Sequence, residues 1–138
     1  MRKFITSILV TFLVSAAFSV GLSAQSQDSK EPSMEDLATQ EADRLGELLK
    51  LADWQIFYVD STLQHDYVAM DAELKELQKS RVGNSDIYIA TQDKWMQQIY
   101  DTFQKLFDED QWNAYLKSGA AKQQKARDKR KAKTTGKK

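Results

Sequence analysis

Seven apolar residues, Ile56, Val59, Leu63, Tyr67, Met70, Leu74 and Leu77, follow one another at steps of three or four without a break. That spacing traces a single stripe on an α-helix, whereas a half-buried strand would place apolar residues at every second position. It predicts a helix over 53–80, about 42 Å long at 1.5 Å per residue. A stripe of that length cannot be buried by the helix that carries it, so other helices must pack along it. A rod this long in so short a chain also implies an elongated molecule.

The flanking sequence supplies those partners. Ser33 followed by Asp36 has the form of a capping box, and Leu37, Ala38, Leu45, Leu48 and Leu49 recur at helical spacing, which predicts a helix over 34–50. Arg81-Val82-Gly83-Asn84 reads as a turn. A third helix starting at Ser85 or Asp86 carries Tyr88, Trp95, Met96, Ile99, Tyr100, Phe103, Leu106 and Phe107. Asp101 and Lys105 stand one turn apart on its polar side. A fourth starts near Glu109 and bears Trp112, Tyr115 and Leu116. One proline and five glycines in the whole chain leave few turns. The expected fold is all-α, with four helices in two antiparallel hairpins, elongated and with a long second helix.

The first residues read as an address rather than as fold. Arg2 and Lys3 precede an apolar run from Phe4 to Val20. Small residues then lead to Ala24, and the chain turns polar at Gln25. This is the layout of a secretory signal peptide over 1–24, cleaved after Ala24. An uncleaved anchor is the competing reading, since the run approaches the roughly 20 residues that span a bilayer. Residues 25–32 form a polar lead-in expected to be disordered, 33–120 the helical domain and 121–138 a basic tail. The expected location is the periplasm. The chain has no cysteine, so neither a lipid-modified cysteine nor a disulfide is available, and stability must come from packing.

The formal net charge of zero conceals two poles. Residues 25–116 hold 8 Lys/Arg against 19 Asp/Glu, a net of −11, and residues 117–138 hold 10 Lys/Arg against Asp128 alone, a net of +9. Beyond Leu116 no apolar residue is larger than Ala, so the basic segment could continue as a solvated helix or fray.

Two helix starts share one pattern. Leu51-Ala52-Asp53-Trp54-Gln55-Ile56 precedes the second helix, and Phe107-Asp108-Glu109-Asp110-Gln111-Trp112 precedes the fourth. Asp108 as N-cap with Gln111 at the third helical position is a capping box. Phe107 and Trp112, like Leu51 and Ile56, can form the hydrophobic staple around it. Ala52 is a poor cap, so the first copy is expected to be the weaker start by roughly 1 kcal/mol. The doubled pattern resembles the Leu-Thr-x-x-Gln repeat of the Spy/CpxP-like periplasmic proteins. Leu51 and Gln55 match in one copy, Phe107 and Gln111 in the other. Neither copy has the Thr, and the second has Phe for Leu. The resemblance covers about 33–120. It implies a homodimer active in envelope stress, either an ATP-independent chaperone acting on unfolded client proteins or a regulator docking on an envelope sensor protein.

The remaining candidates divide between structural and functional readings. Trp54, Phe57 and Tyr58 fall on the side of the second helix opposite its apolar stripe. They are either covered by the first or fourth helix or form an exposed patch for a dimer partner or client. Met70 and Met96 are core residues or polarizable contact surface. His65, the only histidine, has Ser61, Thr62, Val68 and Ala69 one turn away, none of them a good metal ligand, and reads as a surface residue. The acids Asp108, Glu109 and Asp110 lack the glycine and ligand spacing of a calcium loop and suit a helix start. Glu73/Glu76 reads as structural in the same way. With no nucleophile–His–acid set, phosphate loop or metal cluster, the sequence predicts a binding protein without cofactor or metal rather than an enzyme. The basic tail, with Lys122, Lys125, Arg127, Lys129, Arg130, Lys131 and Lys133, would suit nucleic acid in a cytosolic chain, but export excludes that partner. A solubilising role or weak contact with anionic lipid remains. The alternative function is a structural or adaptor module that binds one dedicated envelope partner through its two charged poles.

Overall fold

The structure, a computed structural model, describes residues 31–136. The segment read as a signal peptide, 1–24, and the expected lead-in up to residue 30 lie outside the described residues. The fold is all-α. Its helices are α1 (Met34–Leu49), α2 (Asp53–Lys79), α3 (Ser85–Leu106), α4 (Glu109–Tyr115) and α5 (Ala121–Thr135). α4 and α5 form one arm, interrupted at Leu116–Ala120. α1 packs along α2 and α2 along α3. α4 returns to α1, and α5 lies beside α3 through long side chains.

Each helix start has a local cause. Ser33 Oγ accepts from Asp36 N–H at 3.1 Å, and Asp36 Oδ2 accepts from Ser33 N–H at 3.0 Å, completing the capping box of α1. α1 stops where Lys50 enters the left-handed region at φ 51°, and Leu51 N–H closes the end on Gly46 O at 3.0 Å. α2 ends where Arg81 turns left-handed at φ 55°. Val82 N–H then bonds Leu77 O, and Asn84 caps α3 by accepting from Asp86 N–H. In the α4–α5 arm, Gly119 at φ 120° makes the kink, a conformation that L side chains rarely adopt. Ala121 N–H then reaches back to Leu116 O.

The predicted stripe of α2 is the core seam. Val59, Leu63 and Tyr67 are buried against Ala38, Ala42, Leu45 and Leu49 of α1 and against Ile99 and Phe103 of α3. Ile56 and Met70 pack at the margin, as does Met96 of α3. The seam is closed at one end by an aromatic group. Phe103 stacks near Phe107 at 5.2 Å between ring centroids, Tyr115 stands edge-on to both, and Tyr100 meets Trp112 at 4.9 Å. Edge-to-face pairs of this kind add roughly 0.5–1.5 kcal/mol each beyond the area they bury.

Two points of the polar surface are decided by the structure. Asp101 accepts from Gln97 at 2.8 Å instead of pairing with Lys105. The basic segment from 121 is a regular helix as far as Thr135. Having no apolar period, it is held by arginine. Arg127 is buried with its guanidinium 5.5 Å from the centre of the Tyr100 ring, and it donates to Gln97 and to Gln124. Arg130 grips Asp93 of α3 with two hydrogen bonds of 2.6 and 2.7 Å.

Candidate functional site

The two copies of the helix-start motif meet. Gln55 Oε1 accepts from Ala52 N–H at 3.0 Å, and Gln111 Oε1 accepts from Asp108 N–H at 3.0 Å, so each glutamine serves the start of its own helix. The two carboxamides then exchange hydrogen bonds. Gln55 Nε2 donates to Gln111 Oε1 at 2.7 Å, and Gln111 Nε2 donates to Gln55 Oε1 at 3.0 Å. Gln55 Nε2 also donates to Leu106 O at the end of α3. Leu51 and Phe107, the apolar residues of the motif, are both buried in the core cluster. All four motif residues therefore act in one joint that fixes the N-termini of α2 and α4 against the end of α3. Asp108 Oδ1 caps Gln111 N–H at 2.8 Å, while Ala52 offers no side-chain cap, as the sequence predicts.

The same joint sets the orientation of α2 and so decides what its opposite face does. Trp54, Phe57 and Tyr58 are 58, 67 and 55 % exposed, so neither α1 nor α4 covers them. Their rings brace one another edge-on, with Tyr58 6.3 Å from Trp54 and 5.7 Å from Phe57 between centroids. The open face continues through Ser61, His65, Val68 and Ala72, all exposed. At 100° per residue these seven positions form one stripe roughly 27 Å long. It carries no Asp, Glu, Lys or Arg. The aromatic end is built on a rigid helix, which holds the rings in place at little entropic cost on contact.

One buried polar group on the flank of this face escaped the sequence reading. Asp66 is 3 % exposed. Its Oδ1 accepts from Gln98 Nε2 of α3 at 3.1 Å and lies 2.7 Å from His65 Nδ1, and its Oδ2 is buried without a hydrogen-bond partner among the described residues. His65 is on the surface as expected, yet it is oriented by a carboxylate next to it in sequence and stands edge-on to Trp95 at 6.5 Å. Glu73 accepts from Trp95 Nε1 at 2.8 Å and pairs with Lys94, and these two donors hold its carboxyl below the usual carboxylate range. Glu76 turns instead to Lys79 at 3.9 Å, so Glu73/Glu76 forms no acid–base pair. Among the described residues no three His, Cys, Asp or Glu side chains converge to hold a metal ion.

No protein-family model matches the chain, and neither does any curated protein or solved structure. Two arrangements stand out: the glutamine joint, which is architectural, and the uncharged open face of α2, which has no structural task within the described residues. No described helix is long and apolar enough to cross a membrane.

Proposed function

We propose that this chain is an exported binding protein that holds apolar segments of other proteins on the open face of α2, as an ATP-independent chaperone of the Spy/CpxP type. The observation that carries the reading is the trio Trp54, Phe57 and Tyr58, each more than half exposed on a face free of formal charge. Large apolar side chains held in water on consecutive turns of a rigid helix mark a surface used for association. Aromatic rings suit partners of many sequences, because they bury much area with few torsions to freeze. The paired Leu51/Gln55 and Phe107/Gln111 starts support the same reading by their likeness to the family repeat. The leader-like N-terminus supports action in the periplasm, where no ATP is available.

The test uses the purified full chain at near-stoichiometric ratio with several unrelated, chemically denatured proteins and no ATP. Their aggregation is expected to slow. A triple variant, Trp54→Ser with Phe57→Ser and Tyr58→Ser, is expected to lose that protection while remaining folded, its thermal midpoint lowered by only several degrees, since exposed positions shift stability by about 0.5 kcal/mol or less each. Protection of no client would sink the chaperone reading in favour of an adaptor with one dedicated partner. Light scattering decides a competing use of the same face. A stable homodimer that dissociates in the triple variant would assign the rings to self-association.

A further inference from the structure

We propose that the outer face of α5 docks on an anionic bilayer surface, independently of what α2 binds. α5 has two faces with different duties. The inner one carries Arg127, buried on Tyr100, and Arg130, locked on Asp93, so its arginines are spent holding the helix to α3. The outer one carries Lys122, Lys125 and Lys129, with Lys133 at its edge beside the groove between α3 and α5; the four are spaced by three, four and four residues and all exposed. At 100° per residue they fall within about 80° of arc and along roughly 16 Å of helix. None of the four has an ion-pair partner among the described residues, although acidic side chains outnumber basic ones on α1–α4. Asp128, the one acid of α5, lies off this arc and accepts from Gln124.

Four ammonium groups aimed the same way from an anchored helix make a line of positive charge that the fold itself leaves unneutralised. A fluid anionic bilayer suits that line best, because its headgroups can gather beneath whatever spacing the lysines present. Reading or stacking on nucleic-acid bases would draw on forked or planar side chains. This face has no Arg, Asn, Gln or aromatic residue on it. Nor has it a large apolar residue to insert, so the contact is electrostatic and reversible. The acidic remainder of the domain is repelled by the same surface, which turns α5 toward the lipid.

The test is sedimentation of the full chain with vesicles rich in phosphatidylglycerol against vesicles of phosphatidylcholine alone. Binding is expected only to the anionic vesicles, weakening roughly fivefold for each lysine changed to Gln among Lys122, Lys125, Lys129 and Lys133. It should fade as salt approaches about 0.15 M, where the screening length falls to about 8 Å. Gln keeps helix propensity close to that of Lys, and circular dichroism checks that α5 persists. A control with the same change in net charge, Lys50→Gln, Lys75→Gln, Lys79→Gln and Lys105→Gln together, should bind anionic vesicles within about twofold of the parent, as charges beyond a screening length contribute little. Equal binding to both vesicle types would overturn the proposal, since the apolar run near the N-terminus would then be its source. An equal loss in the control variant would overturn it as well. So would tighter binding to a duplex oligonucleotide than to the anionic vesicles, with the same four lysines responsible.

Discussion

A carboxamide can accept a hydrogen bond from the amide at its own helix start and still donate one to a second carboxamide. Gln55 and Gln111 do both, and no carboxylate, hydroxyl or amine could replace either without leaving a group unpaired. That is the physical reason for glutamine at the fixed position of both motif copies. Gln55 is 5 % exposed, so Gln55→Leu should destabilise by about 1–3 kcal/mol by stranding the Gln111 amide. Replacing both by Leu removes the stranded group, and the double variant should lose less than the sum of the singles by about 0.5–3 kcal/mol. Urea unfolding of the four proteins measures this, and strictly additive losses would show that the pair is not a unit. The motif was legible in the sequence, but the pairing was not. Nothing in two local patterns 56 residues apart says that their side chains face each other. Asp66 was hidden for a related reason: Asp reads as a surface residue until α3 is known to bring Gln98 over it.

At the scale of elements, the helices could be placed from the sequence because each begins or ends on a chemical signal. Ser33 with Asp36, Asp108 with Gln111 and the turn at 81–84 stand where the helices start and stop. α5 was left open because its ordering comes from two arginines that find Tyr100, Gln97 and Asp93 on a distant helix, a device without periodicity. The exposure of Trp54, Phe57 and Tyr58 was also undecided. Their angular position was known, but which neighbour lay over them depended on how the hairpins meet. The caps give a direct contrast between two otherwise similar starts. Asp108→Ala removes a side-chain acceptor bound at 2.8 Å and should cost about 1 kcal/mol. Ala52→Asp supplies an acceptor where α2 has none, and should raise stability by a comparable amount. Thermal midpoints that move in the same direction for both would contradict this account.

At the scale of the whole described molecule, the core is sealed where α1, α2 and α4 meet, and two tyrosines lie at that seal. Tyr67 of α2 and Tyr115 of α4 are both pushed above the ordinary phenol value, first by burial and then by the negative Glu41 of α1, Tyr115 to about 12 and Tyr67 further. Arg44 opposes the effect only in part, its guanidinium being engaged by Glu41 in two hydrogen bonds of 2.7 Å. The folded state thus binds these phenolic protons more tightly than the unfolded chain, whose tyrosines ionise near pH 10. Their contribution to stability is complete below about pH 10 and is lost as pH rises from there through the raised values. Unfolding free energy should therefore fall steeply between about pH 10 and 12. Tyr67→Phe and Tyr115→Phe should each make that fall shallower, because a phenyl ring keeps the packing and has no proton to lose. Urea midpoints across this range, followed alongside tyrosinate absorbance, measure both effects together. A slope unchanged in both variants would mean that the alkaline loss arises elsewhere, and that the seal between the helices is not where the fold opens.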